Sequence, residues 1–172
     1  MKIAIIGKMC SGKSTLAQKI KLIDNRYEIF SFGQKVKDIA IDLFGMKEKN
    51  RNLLIDIGMK MREIDPDIWV KYIIEKTKHN EFCIIDDVRF QNEYDYLIQN
   101  NFKIIYLDIF REHQIERITK LYPDNYEIHI DNLDNISEKL DIIPQKNYDL
   151  KLNTYLDDNC KINHELNLLF KN

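Results

Sequence analysis

The sequence predicts an α/β fold, a five-stranded parallel sheet sandwiched by helices. Three observations carry this. Apolar runs recur at Ile3-Ala4-Ile5-Ile6, Phe82-Cys83-Ile84-Ile85 and Lys103-Ile104-Ile105-Tyr106-Leu107, as strands covered on both faces read. Between them lie stretches with apolar residues at helical spacing, and strands alternating with helices give a parallel sheet. The third observation is Gly7-Lys8-Met9-Cys10-Ser11-Gly12-Lys13-Ser14, which reads G-x-x-x-x-G-K-S between the first strand and a helix. That is the setting a P-loop requires, so the fold class is that of a P-loop NTPase.

Taken in order, residues 2–6 form a central strand and 12–22 the helix after it. Residues 27–32 alternate and are β-rich, a second strand ended by Gly33. Gln34 to Phe44 is helical, with Val36, Ile39, Ala40, Leu43 and Phe44 inward, and Gly45 stops it. Asn52 to Ile64 repeats the pattern through Leu53, Leu54, Ile57 and Met61. Asp65 then reads as an N-cap and Pro66 as the first position of a helix running to about Lys78. A third strand at 82–85 delivers Asp86-Asp87-Val88-Arg89 at its C-terminal end. A helix at 91–100 has Tyr94, Leu97 and Ile98 inward, a fourth strand spans 103–108, and a charged helix spans 111–121. Residues 122–135 are polar, contain Pro123 and read as a loop. Ser137 to Leu140 suggests a short helix, 148–152 a fifth strand and 161–170 a closing helix with Ile162, Leu166, Leu169 and Phe170 inward.

The chemistry begins at residues 7–14. Gly7 and Gly12 allow backbone angles and close approaches that a Cβ would block. Successive N–H groups then cradle phosphate oxygens at the positive end of the following helix. Lys13 reaches the β- and γ-phosphates and the Ser14 hydroxyl serves Mg²⁺, with Cys10, Ser11 and Thr15 completing the loop's contacts to ATP. Cys10 fills one of the variable positions. An Asp after a buried strand can hold the same Mg²⁺, a role open to Asp87 or Asp86. Arg89, two residues beyond Asp87, can grip an acceptor phosphate bidentately. In an open parallel sheet these loops share the edge at the strand C-termini, where ligands bind.

Composition limits the classes of function. The 172 residues suit one domain. A net charge of -2 gives no global attraction to nucleic acid or to an anionic membrane. No apolar run approaches a membrane span and no signal peptide opens the chain. Cys10, Cys83 and Cys160 have no metal spacing, and an odd, scattered set points to a reducing, cytoplasmic compartment. His79, His113 and His164 show no ligand spacing and receive no role, and the run 48–51 reads as a solvated face.

Asp87-Val88-Arg89-Phe90-Gln91-Asn92-Glu93 resembles the D-V-R-F-x-N-E signature of deoxynucleoside monophosphate kinases of the bacteriophage and large-virus type. Ser31-Phe32-Gly33-Gln34-Lys35-Val36-Lys37 is similar to that family's S-F-A-x-x-L-K segment, departing from it at Gly33 and Gln34. Residues 54–70, with Arg62-Glu63-Ile64-Asp65-Pro66-Asp67-Ile68-Trp69, look like its segment ending R-x-I-D-P-D-x-W. The matches keep the family's order over residues 1–93.

The resemblance implies a core of residues 1–32, 65–110 and 131–172, an acceptor-binding insert at 33–64 and a short LID at about 111–130. It implies ATP- and Mg²⁺-dependent phosphoryl transfer to a deoxynucleoside 5′-monophosphate, with small nucleotides as partners and a homodimer as the assembly. Lys37, Arg51 and Arg62 become candidates for the acceptor phosphate, and Glu93 a further acceptor-site residue. Trp69 can stack on the acceptor, although its helical stripe favours the core. Arg111 and Arg117 on the LID helix are candidates to meet charge on the transferred group, with Arg111 the nearer, and Asn153-Thr154 to border the donor adenine. The alternatives are another small-molecule P-loop kinase, such as one acting on dephospho-coenzyme A or phosphomevalonate, and a non-enzymatic ATP-binding module.

Overall fold

A computed structural model describes residues 1–134 and 148–171. Five parallel strands form one sheet in the order β2-β3-β1-β4-β5. They are β1 (Lys2–Gly7), β2 (Glu28–Phe30), β3 (Cys83–Val88), β4 (Phe102–Leu107) and β5 (Leu150–Leu152). The helices among the described residues are α1 (Lys13–Ile23), α2 (Phe32–Phe44), α3 (Arg51–Ile64), α4 (Ile68–Thr77), α5 (Gln91–Gln99), α6 (Arg111–Leu121), α7 (Tyr126–Asp131) and α8 (Asn159–Lys171). Alternate residues of β1 serve opposite faces of the sheet. Ala4 and Ile6 join Ile85, Val88 and Ile104 under α2, α4 and α5. Ile3 and Ile5 join Ile84, Ile105 and Leu107 under α1 and α8. Both faces are buried, which is why the strands carry apolar runs instead of alternation.

After β2 the chain crosses back to β3, and after β3 it passes over β1 to reach β4. The order reverses beside β1, so the crevice opens where the C-termini of β1 and β3 meet. A third apolar cluster sits outside the sheet. Met9 of the loop after β1 packs on Ile118 of α6 and Leu133, with Tyr126 and Ile130 of α7 against them.

Several expectations change. Phe32 opens α2 instead of ending the second strand, because the Asp87 carboxylate accepts the N–H groups of Phe32 and Gly33 and starts a helix there. Asp65 closes α3, and α4 begins only at Ile68. The Asp65 carboxylate takes the N–H of Asp67 and its carbonyl that of Ile68, so residues 65–67 form a turn instead of a Pro-led first turn. The polar stretch 122–135 holds α7 and a 3₁₀ turn, Asn132–Asp134, anchored by its few apolar side chains. Leu43, Phe44 and Ile98 face solvent instead of the core, each in the last turn of its helix. The fifth strand is shortened to Leu150–Leu152, and the short helix expected at 137–140 lies outside the described residues.

Candidate functional site

A cavity of about 1680 Å³ opens at the C-terminal edge of the sheet. Its floor is the loop between β1 and α1. Gly12 adopts φ 95°, and Cys10 shares the left-handed region at φ 59°. At Gly7 an added Cβ would lie 2.4 Å from Ser11 Oγ and 2.8 Å from the Leu107 carbonyl, so only glycine fits. Lys13 is buried, and its ammonium donates to the carbonyls of Gly7 at 2.6 Å and Lys8 at 2.7 Å. Thr15 lines the cavity beside Ser14.

At the end of β3 two adjacent aspartates divide their work. The Ser14 hydroxyl donates to Asp86 at 2.8 Å, which brings two hard oxygen ligands together at the loop. Burial raises the Asp86 carboxyl above its ordinary range, and the neighbouring Asp87 charge adds to this. Asp87 instead accepts the Ser31 hydroxyl at 2.6 Å and the N–H groups of Phe32 and Gly33 at 2.8 and 2.7 Å. The geometry therefore favours Asp86 beside Ser14 and gives Asp87 to the start of α2.

Arg89 lines the cavity just beyond. Its backbone N–H, with that of Phe90, donates to the buried Glu93 carboxylate. The other Glu93 oxygen accepts from Arg62 Nη2 at 2.6 Å. Arg62 Nη1 reaches the Gly58 carbonyl, which also accepts the Trp69 indole N–H at 3.1 Å, and the guanidinium lies 3.8 Å from the Phe90 ring centre. Glu93 and Arg62, both read from the sequence as acceptor-site residues, are thus bound to each other at the cavity wall. Burial pushes the Glu93 carboxyl up and the Arg62 guanidinium down, and each is pulled back by the other's charge. Trp69 is core at one wall of the cavity, its polar atom already satisfied.

Lys37 of α2, Lys49 of the α2–α3 connection and Arg51 of α3 also line the cavity. The run 48–51 is therefore not a simple solvated face. Although much of Lys49 is exposed, desolvation lowers its pKa, and the charges of Arg51, Lys37 and Arg89 lower it further. Lys49 thus feels three cations from three other segments.

The arginines of α6 part ways. Arg111 is exposed and pairs with Asp134 at 3.2 Å, outside the cavity. Arg117 lines the cavity but donates to the Cys10 carbonyl at 3.0 Å and to Thr154 Oγ1 at 2.8 Å. Asn153 Oδ1 caps the turn after β5 by accepting from Tyr155 and Leu156 N–H, and Thr154, not Asn153, borders the cavity. Sequence reading missed Gln114, whose buried side chain donates to the Met9 carbonyl. No motif marks it, because a glutamine in a charged helix looks like surface.

The loop geometry suits a nucleotide triphosphate, and Ser14 with Asp86 suits a magnesium ion by ligand type. No helix among the described residues is long and apolar enough to cross a membrane. No curated protein matches the chain. Among solved structures, the chain is similar to deoxyadenosine kinase from M. mycoides bound to dCMP and dCDP, at 21% identity and TM-score 0.57, covering 100% of both chains. It is similar to shikimate kinase from Bacteroides thetaiotaomicron at 14% identity and TM-score 0.62, covering 99% and 97%. It is also similar to a gluconokinase from Sinorhizobium meliloti at 14% identity and TM-score 0.58, covering 99% and 96%. At these identities the likeness shows the fold, which is that of the P-loop kinases. The AAA domain model matches residues 3–147, and the chain belongs to that family.

Proposed function

We propose that this protein transfers the γ-phosphoryl group of ATP to a deoxynucleoside 5′-monophosphate, giving ADP and the diphosphate. The observation that carries the reading is the convergence of Lys37, Lys49, Arg51 and Arg89 on the cavity that the phosphate loop lines. Lys49 carries the like charges of the other three beside it, and a bound anion would relieve that repulsion. A phosphate dianion offsets such a cluster better than the single carboxylate of a simple acid acceptor. The sequence segments that resemble deoxynucleoside monophosphate kinases narrow the phosphorylated acceptor to that class.

In this mechanism the loop N–H groups and Lys13 hold the donor phosphates. The acceptor's phosphate oxygen, oriented by Arg89 and Lys37, attacks the γ-phosphorus in line while ADP leaves. Ser14 and Asp86 would hold Mg²⁺, which supplies charge neutralisation across the donor phosphates. No covalent intermediate is required, since positioning and charge stabilisation carry the rate. Arg62 and Glu93 fix the Arg89 backbone and the insert instead of touching substrate. The segment 111–130 is proposed as the LID, excluding water from the transfer.

The test is a coupled ADP-release assay with ATP and Mg²⁺ over all common ribo- and deoxynucleoside monophosphates. The panel adds dephospho-coenzyme A, phosphomevalonate, shikimate and gluconate. Release stimulated by one or a few deoxynucleoside monophosphates is expected. Stimulation only by another acceptor would replace this reading, and a flat profile with tight ATP binding would leave a binding module.

A further inference from the structure

Side chains hold the phosphate loop at three consecutive carbonyls. Gln114 Nε2 donates to the Met9 carbonyl at 2.9 Å. Arg117 Nη1 donates to the Cys10 carbonyl at 3.0 Å. The Thr154 hydroxyl donates to the Ser11 carbonyl. The three are themselves joined, because Arg117 also donates to Thr154 Oγ1 and, through Nη2, to the Thr154 carbonyl at 2.6 Å. Gln114 and Arg117 come from α6, while Thr154 follows β5.

A planar trans peptide sets its N–H opposite its C=O. Fixing the carbonyls of residues 9, 10 and 11 therefore turns the N–H groups of Cys10, Ser11 and Gly12 away from Gln114, Arg117 and Thr154. The Ser11 N–H meets the Lys8 carbonyl at 3.2 Å. A second observation points the same way. Cys10 is held at φ 59°, which a side chain disfavours and which persists only when the surroundings over-determine it. Gly12 is packed so tightly that an added Cβ would lie 2.9 Å from Thr154 Oγ1.

We infer that Gln114, Arg117 and Thr154 form a clasp that pre-sets the loop for a nucleotide's phosphates, so that Gln114 and Thr154 are positioning residues for the donor. The phosphates then bind a loop already ordered, without a fresh entropic cost. This rests on the reading of the cavity as a donor site, so the experiment separates the two.

Hydrogen–deuterium exchange of the ligand-free protein is followed over residues 7–14 in wild type, Gln114→Met, Thr154→Val and Thr154→Ser. Calorimetric titration with the β,γ-imido analogue of ATP and Mg²⁺ accompanies it. Exchange in the loop is expected to rise about tenfold in Gln114→Met and Thr154→Val, with β3 and β4 unchanged. Affinity for the analogue falls by a similar factor, and Thr154→Ser, which keeps the hydroxyl, behaves as wild type. Unchanged loop exchange, loss of protection spread across the sheet, or failure of Thr154→Ser to rescue would overturn the clasp. Should the loop respond as expected while wild type binds no analogue, the clasp stands and the donor reading falls.

Discussion

Lys13 is an ammonium withdrawn from water and bridged between two carbonyls of its own loop. Those bonds satisfy it cheaply and release it to a stronger, charged acceptor. Lys13→Ala should therefore leave the fold intact, by circular dichroism, and cut phosphoryl transfer by about 10² or more in the coupled assay. Wild-type turnover in that variant would remove the loop from the mechanism. The adjacent aspartates make separable predictions. Asp86→Asn should raise the Mg²⁺ concentration for half-maximal turnover at least about tenfold, the size of effect that loss of a charged ligand brings. Asp87→Asn, which loosens the bonds to Ser31, Phe32 and Gly33, should chiefly raise the KM for the acceptor. The reverse pattern in a Mg²⁺ titration would move the metal to Asp87.

Between elements, the Arg62–Glu93 pair ties α3 to the start of α5 and the backbone of Arg89. Glu93 is 1% exposed, so its charge survives only because Arg62 and two N–H groups meet it. Breaking one partner of such a pair costs about 3–5 kcal/mol, much of it from the charge left behind. Glu93→Gln should lose roughly that stability in urea unfolding, lowering the thermal midpoint by about 10 °C for a chain of this size. Trp69 fluorescence reports the change directly, since its indole N–H shares the Gly58 carbonyl with Arg62. A loss below about 1 kcal/mol would mean that water already reaches the pair.

Across the whole molecule, α7 lies within reach of the charges of Lys49 and Arg51. His129 on α7 is buried and stacked 3.9 Å from the Tyr122 ring, and it feels the charges of Arg51 and Lys49. Burial first, then those cations, hold its imidazole below the ordinary value of 6.5. The folded form therefore keeps His129 neutral, while the unfolded chain binds a proton more readily as pH falls. Its contribution to stability is present above about pH 6.5 and is lost on acidification through the depressed value. His129→Phe should flatten the fall in stability between pH 7 and pH 5 relative to wild type, measured by urea unfolding at each pH. An unchanged slope would show that other groups govern it.

The P-loop, the three long strands and the sheet edge where the site lies were legible in residues 1–121, because apolar runs, helical spacing and a fixed-length glycine motif are local patterns. Arg89, which follows a recognisable strand, and Lys37, which was a candidate only through the family resemblance, both line the cavity. Tertiary structure alone decided how neighbouring side chains divide their roles. Asp86 and Asp87 are chemically alike, and only the positions of Ser14 and of the α2 N-terminus distinguish them. Arg62, Arg111 and Arg117 are all basic residues on helices, yet one is paired inside, one lies on the surface and one grips a carbonyl of the phosphate loop. Gln114 carries no local signal, because its partner, the Met9 carbonyl, lies 105 residues away in sequence. Local pattern sets where backbone goes, whereas the partner of a polar side chain is fixed by which distant segment packs against it.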